Sequence, residues 1–176
     1  MNKNIKLVKL NPEHIEVLYD WYISEMNFEY YTCRPLEESK LSYEEFYKKT
    51  KARLDSKKTE EFIIYDEGSD KFLGNLKSFD VNTRNFSTEI GFYLSKDSRG
   101  KQVGRTALNL FVNHLFENKN HNKLYATTSS SNIPSMKILE YNNFTLDGRN
   151  REHYWIKGEK YDQMVYSILR FEWKIL

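Results

Sequence analysis

The sequence is poor in the residues that staple, kink or loosen a chain. It has one cysteine, Cys33, in 176 residues. A lone cysteine excludes an intramolecular disulfide and a multi-cysteine zinc site, and no metal is expected. Seven glycines and three prolines exclude collagen-like and low-complexity chains. No apolar run approaches the ~18 residues of a membrane helix. Residues 1–11, MNKNIKLVKLN, are basic but lack the apolar stretch of a leader peptide. A soluble, cytoplasmic protein without a membrane partner is expected. Excess charge of one sign is missing too. The 27 Lys and Arg against 25 Asp and Glu leave a formal net charge of +2, which gives no footing for a nucleic-acid partner. What the chain does have is aromatic residues, 15% of the total, with 13 Tyr and 11 Phe. Disordered chains lack these. The length suits one domain, 1–176, able to remove roughly 70% of its unfolded surface from water.

Periodicity orders the chain. Ile5 to Leu10 alternates apolar and basic residues and predicts a strand. Asn11 before Pro12 predicts a helix start, followed by Ile15, Leu18, Tyr19 and Tyr22 at helical spacing. Residues 25–41 lose the period and read as a loop or broken helix. Ser42 with Glu45 forms a capping box for a helix carrying Phe46, Tyr47 and Leu54. Strands follow at Phe62–Tyr65, Phe72–Phe79 and Thr88–Ser95. A charged loop, KDSRGKQVGR, then leads into a helix striped with Val103, Ala107, Leu108, Phe111, Val112, Leu115 and Phe116. A strand at Leu124–Thr128, a helix at Asn132–Tyr141 and three strands, at Phe144–Leu146, His153–Ile156 and Met164–Leu169, complete an α+β mixed sheet with helices packed on it.

The stretch richest in chemistry is strand 88–95, loop 96–104 and helix 104–117. The first N–H groups of a helix lack intrahelical partners, and its dipole adds roughly half a positive charge there. Arg99, Lys101 and Arg105 add full charges, and Gly100 and Gly104 allow close backbone approach. A phosphate or pyrophosphate fits such a place. The loop is neither a Walker loop nor a dinucleotide fingerprint.

The segments EIGF at 89–92, RGKQVG at 99–104, Asn132 with Ser135, NNF at 142–144, Gly158 with Asp162, and RFEW at 170–173 together resemble the GNAT acetyltransferases. The resemblance runs from about Ile5 to Trp173 and is nearest to the RimJ/RimL-like branch, which acetylates N-termini of ribosomal proteins. It implies a mostly antiparallel mixed sheet splayed between two parallel strands, with acetyl-CoA in the split and no metal. Phe92, Tyr93 and Leu94 would offer backbone groups to the pantetheine arm. Arg99, Gly100, Lys101, Gln102, Val103, Gly104 and Arg105 would cradle the pyrophosphate, and Asn132 would bond the pantetheine. A bulge at Gly91 would splay the strands. A homodimer is the assembly the branch implies. Three positions depart from the pattern. Gln102 stands at a glycine position, at a cost of about 1–2 kcal/mol if φ is positive there. Leu139 stands where many members have a tyrosine acid, which leaves Ser135, the branch's alternative. Asn143 replaces a glycine before Phe144.

Acetyl transfer to an amine needs a base for the ammonium proton, a donor for the oxyanion and a donor for the leaving thiolate. Glu89 is the first base candidate and Glu152 the second. His153 and Tyr154 rank lower. Ser135 is the candidate partner for the thiolate. Direct attack in a ternary complex needs no acyl-enzyme, so Cys33 has no role in it. Trp21, Tyr22, Phe28, Tyr31 and Arg34, with Trp155 facing them, are the expected acceptor walls. The expected acceptor is a protein N-terminal α-amine or a small-molecule amine, an amino sugar among them. The alternative is a non-catalytic CoA-binding or regulatory domain, motivated by Gln102 and Leu139.

Overall fold

The computed structural model describes residues 4–25, 41–56 and 58–173. Its strands are β1 (Ile5–Lys9), β2 (Glu60–Asp66), β3 (Lys71–Asn82), β4 (Ser87–Leu94), β5 (Lys123–Ser129), β6 (Thr145–Ile156) and β7 (Glu159–Leu169). The helices are α1 (Ile15–Ser24), α2 (Tyr43–Asp55), α3 (Val103–Asn118), α4 (Ile133–Tyr141) and a single turn, α5 (Arg170–Trp173). All seven strands share one sheet in the order β1-β2-β3-β4-β5-β7-β6. Among the described residues only β4 and β5 run parallel, and every other pair is antiparallel.

Local chemistry starts the helices where the caps predict. Asn11 Oδ1 accepts the Glu13 N–H at 3.0 Å and opens a 3-10 turn that leads into α1. At α2 the Ser42 hydroxyl accepts the Glu45 N–H at 3.3 Å, and the Glu45 carboxylate accepts the Ser42 N–H at 3.0 Å. The reciprocal pair satisfies two orphan donors.

Period-2 alternation then divides the strands between two faces. One face carries Phe62, Ile64, Leu76, Ile90, Leu124, Ala126, Tyr166 and Ile168 into the main core. The stripe of α3 closes that core, with Ala107, Leu108, Phe111 and Leu115 at 0% exposure. On the other face, Leu10, Leu18 and Ile63 form a smaller cluster beneath α1 and α2. Among the described residues these helices pack on the β1–β2 side, and Trp21 of α1 also meets the Tyr93 ring of β4.

Two strand predictions change. Phe144–Leu146 and His153–Ile156 are not separate strands with a loop between them. From Thr145 they belong to the single edge strand β6, which contains two register shifts, at Leu146/Gly148 and at Asn150/Tyr154. The polar run between them conceals the continuity, because an exposed edge has no buried face to mark its period. Gly91 makes no bulge: β3 and β4 pair without a break from Gly74↔Leu94 to Phe79↔Glu89. A side chain at 91 would instead press on the Phe79 ring at 3.3 Å.

Candidate active site

The site begins where two strands part. β4 and β5 pair only at Ser87↔Lys123, Thr88↔Leu124 and Glu89↔Tyr125. Beyond this point β4 stays with β3 as far as Leu94, and β5 stays with β7 as far as Ser129. The sheet therefore opens into a V.

Antiparallel pairing alternates the direction of the backbone groups along each arm. On one arm Ser95 N–H donates to Leu73 O at 2.9 Å. Counting back by twos, Tyr93, Gly91 and Glu89 turn their backbone groups to β3. Ile90, Phe92 and Leu94 turn theirs into the gap. On the other arm Arg170 N–H donates to Asn122 O at 2.8 Å. By the same count Leu124, Ala126 and Thr128 face β7, while Thr127 and Ser129 face the gap. The split is thus lined by main-chain donors and acceptors from both arms, a fit for an extended arm with amides of its own. Of the three residues expected to offer backbone groups, Phe92 and Leu94 turn theirs into the gap, while those of Tyr93 join the β3 ladder; Ile90, not named from the sequence, also turns its groups into the gap.

At the far end of β4 the chain turns through a 3-10 turn, Lys96–Ser98, into the loop before α3. Gly100 and Gln102 both take positive φ, +74° and +59°. The first bond of α3 runs from Thr106 N–H to Gln102 O at 3.2 Å. The N–H groups of Val103, Gly104 and Arg105 are therefore left at the helix N-terminus, where the dipole favours an anion. Exposed Lys101 adds its charge. Two residues of the loop also make contacts outside it. Gly104 serves packing, since a Cβ there would meet Ile138 Cδ1 at 2.8 Å and Leu94 Cδ1 at 2.9 Å. Arg99 turns out of the loop: its Nε donates to Leu94 O at 3.2 Å, and its guanidinium pairs with Glu25, the residue that ends α1. Tyr93 also donates to Glu25, at 3.4 Å. Burial, then the nearby Glu25 carboxylate, push the Tyr93 phenol up to about 12. The Arg105 guanidinium carbon sits over the Tyr141 ring, 3.1 Å from its centroid, beside the last residue of α4.

Asn132 sits where β5 hands over to α4, held by its N–H to Ser129 O at 2.9 Å. Its Oδ1 accepts the Ser135 N–H at 3.3 Å, which leaves the amide donors of this buried residue for a ligand carbonyl. Ser135, in the first turn of α4, is half-buried.

The sheet face that carries α1 and α2 holds, beyond these helices and among the described residues, the titratable groups. Glu89 stands in the crotch of the V, in the last β4–β5 pair. Its Oε1 accepts the Thr127 hydroxyl at 2.7 Å. Beside it the Tyr125 hydroxyl donates to Asp80 at 2.6 Å. Burial raises the Tyr125 phenol, helped by the bond to Asp80 and the charge of Glu89. Thr127, Tyr125 and Asp80 were not singled out by sequence. The alternation of Leu124 and Ala126 with Tyr125 and Thr127 is the signal that could have found two of them.

Other candidates lie elsewhere. Glu152 stands on edge strand β6, with β7 between it and the split, and pairs with Lys160 at 2.7 Å. His153 packs edge-on against Tyr154, and the Tyr154 hydroxyl accepts a bond from Gln163 at 2.8 Å. Trp155 does not face α1. It lies near the tip of the β6–β7 hairpin, 70% exposed, with Lys160 over its ring. Trp21 contacts the Tyr93 ring at 5.8 Å and lines a cavity of 770 Å³ together with Glu25, Arg99 and Val103. Tyr22 packs on Phe46 and accepts the Leu41 N–H at 2.9 Å, tying α1 to α2. Phe28, Tyr31, Cys33 and Arg34 lie outside the described residues.

Comparison with known proteins bears on this arrangement. The family model described as "Acetyltransferase (GNAT) domain" matches residues 7–165. The "Uncharacterized N-acetyltransferase p20" of Bacillus licheniformis is 27% identical over 112 residues, 64% of this chain and 63% of that protein. The "Putative ribosomal N-acetyltransferase YdaF" of Bacillus subtilis is 26% identical over 112 residues, 64% of this chain and 60% of its own length. The chain thus spans about three fifths of these relatives. Among solved structures, spermidine N-acetyltransferase from Vibrio cholerae in complex with CoA and spermine superposes with a TM-score of 0.89 at 18% identity, covering 98% of this chain and 99% of that one. The shared fold, the split between β4 and β5, and a family match over most of the sequence lead to one assignment: the chain belongs to the GNAT acetyltransferases, whose co-substrate is acetyl-CoA.

Proposed function

We propose that this protein transfers the acetyl group of acetyl-CoA to a primary amine by direct attack in a ternary complex. The observation that carries the proposal is the position of Glu89: a carboxylate in the crotch of the V, beside a gap lined with backbone donors. In this reading the gap-facing groups of Ile90, Phe92 and Leu94 hold the pantetheine arm and the thioester. The backbone amides at the start of α3, with Lys101, hold the pyrophosphate, and Asn132 bonds an amide of the arm. Glu89 takes a proton from the incoming ammonium, directly or through one water, and frees the nitrogen lone pair. The nitrogen bonds to the thioester carbon, and a gap-facing N–H stabilises the oxyanion. The C–S bond then breaks; the second proton of the nitrogen passes to the departing thiolate, which the Ser135 hydroxyl meets with a hydrogen bond, so that the products are the amide and the CoA thiol.

The acceptor we propose is a protein N-terminal α-amine or a small-molecule amine. The similarity to YdaF supports the first, and the likeness to a spermidine acetyltransferase suggests polyamines for the test panel. A homodimer is the assembly proposed. The Glu89→Gln variant is expected to bind acetyl-CoA like the parent, read as the same thermal shift, and to lose about 100-fold in kcat. An unchanged kcat removes Glu89 from the chemistry. Stabilisation by acetyl-CoA without turnover on peptides, polyamines or amino sugars favours a CoA-binding regulatory domain.

A further inference from the structure

We propose that Thr127 is a positioning residue that holds the Glu89 carboxylate in its working orientation, an inference that rests on Glu89 being the base. The Thr127 hydroxyl is 2.7 Å from Glu89 Oε1. An ionised carboxylate can only accept, so the hydroxyl donates. Among the described residues no other side chain hydrogen-bonds Glu89. The bond fixes one carboxylate oxygen and leaves Oε2 for the amine.

The geometry of the split makes this bond informative. Backbone pairing between β4 and β5 ends at Glu89↔Tyr125. Thr127 lies two residues further along β5, already on the arm that has left β4. Glu89 therefore reaches forward into the open V, and Thr127 reaches back from the other arm. Thr127 cannot turn to the core, because Ala126 and Leu124 take that face. Its branched Cβ restricts χ1 on a strand, so the hydroxyl is largely preset. The remaining groups around Glu89 on this face are Tyr125 of β5, which donates to Asp80, and Phe79 and Lys77 of β3.

The test compares Thr127→Val, which keeps the shape and removes the donor, with Thr127→Ser, which keeps the donor. Thr127→Val is expected to lower kcat about 10-fold and leave the KM for acetyl-CoA unchanged, because the Glu89 carboxylate loses the hydrogen bond that orients it. Thr127→Ser is expected to recover most of the loss. In the Glu89→Gln background, Thr127→Val is expected to cost less than about 2-fold more, since coupled residues fail to add. Three results separate the possibilities. Full activity of Glu89→Gln overturns the base and the positioning role together. A crippled Glu89→Gln with an unaltered kcat in Thr127→Val overturns the positioning role alone. A kcat loss in Thr127→Val that Thr127→Ser fails to recover, or that adds fully to Glu89→Gln, assigns Thr127 to strand packing and also overturns it. If Thr127→Val does not fold, Thr127→Ala is judged by the same three results.

Discussion

The two faces of the sheet are made by the same strands and do opposite work. Toward α3, β4 and β5 present Ile90, Leu124 and Ala126, all at most 4% exposed. Toward the opposite face the residues between them are Glu89, Tyr125 and Thr127, joined to neighbours by polar bonds. A one-residue slip of register would exchange the two sets. The dry face is therefore what fixes the polar one. Burial of Ile90 and Leu124 sets the register that puts Glu89 opposite Tyr125 and within reach of Thr127. It also explains how the sheet tolerates a split. Past Glu89 the two arms lose their mutual backbone bonds, yet α3 still bridges them from beneath, with Phe111 and Leu108 fully buried in the shared core.

If that division is right, the largest effect on stability comes from the dry face. Phe111→Ala removes a ring at 0% exposure that packs on Phe62 at 5.8 Å. A loss of about 4 kcal/mol is expected, read from urea or guanidinium midpoints. At a temperature where the variant is folded, kcat should stay within a few-fold of the parent. That is the mirror image of Glu89→Gln, which should lose turnover and keep its stability. A stable Phe111→Ala with crippled kcat would break the distinction between the faces.

The site loop lies between these extremes, because it stores strain of its own. Gln102 adopts φ +59° and ψ 5° with no side-chain cap, immediately before α3. The left-handed region costs a non-glycine residue about 1–2 kcal/mol. Gln102→Gly is expected to recover about 1 kcal/mol of it, offset in part by the greater freedom of glycine in the unfolded chain. Thermal melts with and without acetyl-CoA test this. Equal melting of variant and parent would mean that the glutamine side chain compensates in a way the geometry does not display.

How much of this was legible in the sequence depends on the range of the interaction. Asn11, Ser42 and the apolar stripe of α3 act within a few residues, and the elements they predict are present. The strand, loop and helix from 88 to 117 were equally plain. The partners of those residues were not. Arg99 reads as a loop cation until Glu25 is seen beside it, 74 residues away in the chain. Thr127 reads as a strand threonine until Glu89, 38 residues away, closes on it. Glu152 and Trp155 carry the right chemistry for a site, but β6 is the edge strand, and no local pattern says which strand is the edge. The splitting of β6 into two predicted strands has the same root.

The smallest predicted effect separates a surface network from both faces. Glu60, at the start of β2, receives Lys9 at 2.8 Å and Lys119 at 3.0 Å, with His114 at 3.4 Å. Burial raises its carboxyl, but the two lysines outweigh burial and bring it down to about 2. A carboxylate depressed by folding stabilises the protein above its unfolded value of ~4.3. That contribution fades as the pH falls from there toward about 2. Glu60→Gln should therefore be less stable than the parent at pH 7, and the gap should close between pH 5 and pH 2. Partly exposed pairs contribute little, so the gap should be smaller than the loss in Phe111→Ala and lessen in high salt. Denaturant midpoints at several pH values measure it. A gap independent of pH would mean that Glu60 acts through packing against Lys9 and His114 rather than through its charge.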